Sequence, residues 1–132
     1  MKTLEEVKEY FSRDIYATET TGISIDEASE NRAVCSVKID RRHLNAADVV
    51  MGGVIFTLAD FTFAVAANVN QPTTVSLTSS ISYLGVCKGK RLIAEAFCEK
   101  SGKSTCSFRV EVTDELGTRV AVVLITGFRK KD

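Results

Sequence analysis

Between His43 and Asp60 the chain reads His43-Leu44-Asn45-Ala46-Ala47-Asp48-Val49-Val50-Met51-Gly52-Gly53-Val54-Ile55-Phe56-Thr57-Leu58-Ala59-Asp60, a polar loop that passes through a glycine pair into an apolar segment with one acid. Glycines let a backbone approach a ligand closely, and a helix start offers unpaired N–H groups and partial positive charge to an oxygen becoming negative. Asp60 has no Lys or Arg on its own segment to pair with. A carboxylate so placed is either a structural cap or pair, or a general base or nucleophile toward a carbonyl carbon. Helical projection puts Thr57, Asp60, Ala64 and Asn68 on one stripe of small or polar side chains, with the bulky aliphatics elsewhere.

Gly52, at the helix start, is the candidate to present its N–H as an oxyanion hole; a tight entry from loop to helix would by itself also call for glycine. Eight positions separate it from Asp60, which a helix converts to about 12 Å. The two cannot flank one carbonyl within a single chain. A shared site requires two copies, Gly52 of one facing Asp60 of the other across a two-fold axis.

The elements that must hold these groups follow from periodicity. Thr3 to Phe11 reads as a short amphipathic helix with Leu4, Val7, Tyr10 and Phe11 on one side. Two extended segments, near Thr18–Ala28 and Ala33–Ile39, are expected to pair as a hairpin about Ser29-Glu30-Asn31. Residues 40–51 form an irregular loop, and one long helix runs from Gly52 or Gly53 to about Asn70. It is apolar over most of its circumference, which marks it as buried. Strands follow at Thr73–Leu84, Lys90–Lys100, Ser104–Asp114 and Thr118–Arg129, with turns at Gly85–Gly89, Ser101-Gly102-Lys103 and Asp114–Gly117. The simplest arrangement is an antiparallel meander curled around the central helix, an α+β architecture in one domain over residues 1–132.

Composition narrows the function. Of 132 residues, 17 are basic and 17 acidic, so no net field draws the chain toward nucleic acid or an anionic membrane. No signal-peptide core is present, and the weakly polar stretch from Met51 to Val69 is broken by Thr57, Asp60, Thr62 and Asn68, so it reads as a buried helix and not a membrane span. Cys35, Cys87, Cys98 and Cys106 lack CxxC spacing and read as structural thiols in a reducing cytoplasm. Neither a nucleotide-binding glycine motif nor a metal-ligand cluster is visible, so no cofactor or metal is expected.

His43, Asn45, Gly52, Gly53, Leu58 and Asp60 fall in register with a His-x-Asn-x-x-Gly-x-x-His-Gly-Gly loop followed by a helix with Leu-x-Asp. On these residues, residues 15–129 resemble the hotdog fold, specifically PaaI-like thioesterases of the phenylacetate pathway. Val75-Ser76-Leu77, Ile81-Ser82-Tyr83-Leu84, Ser101-Gly102-Lys103 and Asp114–Gly117 match the family's later strands and turns. Two positions depart: Asp48 stands for the loop glycine and Met51 for the histidine before the glycine pair. Asp tolerates left-handed backbone, whereas a thioether cannot replace the hydrogen bonding of an imidazole.

The resemblance implies an acyl-CoA thioesterase, with Gly52 polarising the carbonyl, Asp60 activating water or attacking, and no cofactor beyond the substrate's own coenzyme A. It also implies a homodimer, arranged as a dimer of dimers, with two shared sites per pair. Asn45 matches the loop asparagine that orients water or thioester, and Ser76 a hydroxyl that supports the acid; a turn asparagine and a plain strand serine are the bland alternatives. Met51, Gly53 and Thr57 are expected to contact substrate. His43 is expected to shape the loop. Lys88, Lys90, Arg91, Lys100, Lys103, Arg129 and Lys130 are candidates for the coenzyme phosphates. The rival from another class is a non-catalytic acyl-CoA or acyl-carrier binding protein on the same scaffold.

Overall fold

A helix that is apolar nearly all round can be buried by a sheet only if the sheet curls over it. The computed structural model, which describes residues 1–131, shows this arrangement. The long helix α2 (Gly52–Asn68) packs against all six strands. These are β1 (Ile23–Ser29), β2 (Arg32–Lys38), β3 (Thr74–Tyr83), β4 (Arg91–Ser101), β5 (Thr105–Asp114) and β6 (Arg119–Arg129), each paired antiparallel to its neighbours. The inner face is small where β2 meets β4, with Ala33 opposite Ala96 and Cys35 opposite Ala94, so the helix can lie close. It is larger on β5, where Phe108 meets Phe63 of α2 edge-on at 5.4 Å between ring centroids. The short helix α1 (Leu4–Phe11) begins at Thr3, whose side chain caps it, and docks through Phe11 edge-on to Phe61 at 5.6 Å. No helix among the described residues is long and apolar enough to cross a membrane.

The structure corrects two expectations. The sheet order is β1-β2-β4-β5-β6-β3, so the strands do not form a simple meander. After β2 the chain enters α2, which crosses beneath the whole sheet, and β3 therefore emerges at the far edge to pair with β6. Alternation reports which face a residue occupies, and it carries no information about which strand lies alongside. The second correction concerns residues 16–21. Thr18, Thr20 and Thr21 suit a strand, yet Tyr16–Thr21 forms a π-helical strap that ends at Gly22, with φ of +86°.

Buried polar groups pin the ends of the elements. Arg129, 5 % exposed, donates to the Ala67 and Gly102 carbonyls and to the hydroxyls of Thr74 and Ser101, and makes no ion pair among the described residues. It is thereby largely withdrawn from the cations that could meet a phosphate. Asn68, at the end of α2, bonds both the N–H and the carbonyl of Thr74 and so sets the start of β3. The Cys35 thiol is pushed up to about 12 by burial, and all four cysteines are free.

Asp114 accepts from the backbone N–H groups of Lys88 (2.9 Å), Gly89 (3.0 Å), Leu116 (3.0 Å) and Thr118 (2.9 Å), tying two turns together at one end of the sheet. Burial alone would raise its pKa, but these donors outweigh burial and hold it well below the usual range. Unfolded, the carboxyl ionises near 3.8, so its contribution to stability is complete above that value and is lost as pH falls below it. Urea melts from pH 7 down to pH 2 should show the Asp114 contribution holding constant to about pH 4 and falling only below it. Asp114→Asn should be less stable at pH 7, because one amide oxygen cannot serve four donors, and should show a shallower acid dependence.

Candidate active site

The loop before α2 is built from its own polar side chains. Asp40 caps a single 3-10 turn, Arg41–His43, and its N–H donates to His43 Nδ1 at 3.0 Å. The other ring nitrogen, Nε2, lies 2.7 Å from the Thr21 carbonyl. One partner is a donor and the other an acceptor, so both bonds form only with the proton on Nε2. His43 is thus a buried tie between loop and strap, the shaping role expected of it.

Asn45 turns its amide oxygen onto the N–H groups of Ala47 (2.9 Å) and Val49 (3.2 Å), which closes the loop, and its amide N–H groups have no acceptor among the described residues. Asp48 occupies left-handed space with φ of 60°. The loop closes with the Met51 N–H donating to the His43 carbonyl at 2.9 Å, and α2 follows at once.

Met51 is the N-cap of α2 but its thioether caps nothing, and its side chain stands 55 % exposed. The N–H groups of Gly52 and Gly53 have no acceptor among the described residues. The Tyr83 hydroxyl donates to the Gly52 carbonyl at 3.1 Å. A Cβ on Gly52 would sit 3.0 Å from that hydroxyl, whereas one on Gly53 would meet open space. Gly52 therefore serves a close approach within the chain, and Gly53 leaves the helix start uncovered.

Further along α2, from Thr57 onward, the only positions not fully buried are Thr57, Asp60, Ala64 and Asn68, the stripe the projection placed together. Asn68 is taken up by Thr74, and the other three open into a cavity of about 360 Å³. Partial burial raises the Asp60 pKa; the nearby Ser76 hydroxyl on β3 lowers it part of the way back, and Asp14 across the cavity raises it further. The structure thus groups Asp60 with Ser76 and Thr57, and Gly52 with Met51, Gly53 and Tyr83. Asn45 remains in its loop.

Asp14 was not singled out in the sequence, and Tyr83 entered only within the family's strand signature, with no role for its hydroxyl. Asp14 reads as a solvated acid after α1, and Tyr83 as one more strand aromatic; only the fold brings each to its partner. Elsewhere a groove of about 690 Å³ gathers Lys103, Lys130 and Lys131 around Pro72 and Phe128.

The thioesterase superfamily model matches residues 47–121, the stretch from loop to β6. A protein of Archaeoglobus fulgidus described provisionally as an esterase is 32 % identical over 127 residues, 96 % of this chain and 82 % of that one. The acyl-coenzyme A thioesterase PaaI of Escherichia coli is 30 % identical over 102 residues, 76 % of this chain and 73 % of its own. The structure of that PaaI superposes with a TM-score of 0.85 at 25 % identity, covering 98 % of this chain and 97 % of the other. A hypothetical thioesterase of Streptococcus pneumoniae solved with coenzyme A superposes at 0.84 and 26 % identity, over 95 % and 98 % of the two chains.

A carbon-13 NMR titration of the Asp60 carboxyl should place its midpoint above the ordinary 3.8. Ser76→Ala removes the nearby hydroxyl that favours the anion and should move the midpoint further up; Asp14→Asn should bring it down. A wild-type midpoint at or below the ordinary value would contradict this electrostatic picture.

Proposed function

Since the chain belongs to the thioesterase superfamily and resembles its PaaI-like members, we propose that it is an acyl-CoA thioesterase whose site is shared between two subunits. Water and a thioester are converted to a free acid and coenzyme A. The observation that carries the roles is Asp60: a lone, half-buried carboxylate on an apolar helix, open to a cavity and with the Ser76 hydroxyl nearby. Asp60 takes a proton from the attacking water or attacks the carbonyl carbon itself, and both routes need the carboxylate. Ser76 favours the anion, and the amide N–H of Asn45 orients water or substrate.

Carbonyl oxygen charge grows as the tetrahedral centre forms. The acceptor-less N–H of Gly52 at the start of α2 is a donor suited to it, supported by the helix dipole. Tyr83, donating to the Gly52 carbonyl, fixes that peptide. Gly53 leaves room for the acyl carbonyl to approach, Met51 flanks it, and Thr57 borders the acid. When the centre collapses the thiolate leaves and takes up the proton that Asp60 received from water. Where Asp60 itself attacked, water then cleaves the acyl-aspartyl anhydride to free acid and carboxylate, supplying the thiolate's proton.

Two features support the dimer. Gly52 and Asp60 lie about 12 Å apart along α2. Strand β3 is a ten-residue edge whose side chains are exposed at all positions but Thr74 and Ile81. A free edge of this length invites pairing with another strand. A two-fold copy on β3 would satisfy its backbone and bring the open stripe of α2 toward the partner's helix start. The exposed Leu124 and Phe128 on the outer face of β6 suit the second contact of a dimer of dimers. Lys103, Lys130 and Lys131 supply cations for the coenzyme phosphates.

Thiol release from a panel of acyl-CoA thioesters tests the reading. Asp60→Asn, isosteric but unable to act as base or nucleophile, should fold normally and lose roughly two or more decades of kcat. Gly52→Val should also be inactive, since its side chain crowds Tyr83. Mixed Asp60→Asn and Gly52→Val subunits, once exchange is verified, should regain activity, because one of the two sites then holds both intact groups. A wild type that binds acyl-CoA and releases no thiol would make the chain a binding protein instead.

A further inference from the structure

We propose that the strap from Asp14 to Thr21 selects the acyl group: Ile15 and Tyr16 wall the cavity that Asp60 opens into, limiting acyl length, and Asp14 turns away acyl groups that end in a carboxylate. This rests on the thioesterase reading and extends it to the substrate class.

The strap is a rigid wall and not a loose linker. At its start, the Asp14 N–H donates to the Phe11 carbonyl, and the Asp14 carbonyl accepts from both the N–H and the hydroxyl of Thr18, all at 2.9 Å. At its end, Arg42 donates to the Thr20 carbonyl at 2.9 Å and His43 to the Thr21 carbonyl at 2.7 Å. Gly22 closes it with positive φ, where a Cβ would lie 2.7 Å from the Arg42 guanidinium. A π-helical turn is a rare local choice that recurs at functional sites.

This anchored turn leaves Ile15 51 % and Tyr16 67 % exposed. Single exposed apolar side chains are ordinary. These two, however, line the same cavity as Asp60, with Phe61 and Ala64 of α2 opposite. An acyl carbon attacked at Asp60 has its chain directed along these walls. The cavity, about 360 Å³, is of a size that suits a short or medium acyl group.

Charge supplies the second filter. Among the described residues of the chain, Asp14 and Asp60 are the only charged side chains lining the cavity, and no Lys, Arg or His joins them. A neutral chain loses little on entering. A chain ending in a carboxylate meets two like charges with no counter-ion, so rejection is built from repulsion as much as from fit.

Initial rates of thiol release would be measured for saturated acyl-CoAs from acetyl to hexadecanoyl, and for the matched pair butyryl-CoA and succinyl-CoA, which differ by a terminal carboxylate. Wild type should decline beyond about ten carbons, as a filled pocket gains nothing from added methylenes. Ile15→Ala and Tyr16→Ala should move the optimum to longer chains by several carbons, and both should fold, since each side chain is more than half exposed. Asp14→Asn should raise the succinyl-to-butyryl ratio of kcat/KM about tenfold. The ratio cancels any change in Asp60 itself, because both thioesters meet the same base. An active wild type whose length profile and succinyl-to-butyryl ratio stay unchanged in all three variants overturns the selecting role and leaves hydrolysis standing. A wild type that cleaves none of the thioesters overturns both.

Discussion

The burial of α2 is the constraint from which the rest follows. A 17-residue helix whose side chains are apolar on nearly every side can meet neither water nor a flat sheet, which would cover only one face. Curling six strands around it buries three sides and leaves Thr57, Asp60 and Ala64 along the fourth. The candidate acid therefore lies on the one stripe that the chain's own sheet does not fill. Crossing under the sheet also sends β3 to the far edge, and this brings Ser76 to Asp60 and Tyr83 to Gly52. One packing requirement thus produces the open stripe, the hydroxyl beside the acid and the clamp on the helix start.

Small polar devices fix what hydrophobic packing leaves loose. Burial of apolar area has no direction, so it cannot determine where a loop ends or which way a carbonyl points. His43 joins loop to strap, Asn45 closes the loop on itself, Asn68 starts β3, and Asp114 gathers two turns. Each satisfies backbone groups that would otherwise be stranded at an element's end.

Most of the fold was legible in the sequence because face alternation and helical periodicity are local. α1, α2, β2 and the last three strands begin and end within two residues of their expected positions. The strap was not legible, since Thr18, Thr20 and Thr21 favour strands and only Arg42 and His43, two dozen positions later, hold those carbonyls in a turn. The order of the strands was hidden for the same reason. For the site, the stripe on α2 came from projection, but the tie to Ser76 needed the family resemblance. Arg129 could have been read more sharply: Ile125 and Gly127 are buried, and alternation puts residue 129 on that inward face.

Arg129 also bears on how the molecule responds to ionic strength. Its guanidinium meets neutral carbonyls and hydroxyls and is 5 % exposed, so salt screens it less than a surface charge. The ion pairs of Arg32 with Glu27 and Glu95, of Arg42 with Asp40 and of Arg109 with Glu99 and Glu111 lie at or near the surface and contribute little even in dilute buffer. Stability thus depends weakly on added salt. The groove of Lys103, Lys130 and Lys131 lies open to solvent, and any anion it attracts is held through screened charges. Sodium chloride would loosen an anionic ligand well before it loosened the fold, so the two responses can be read apart in one titration.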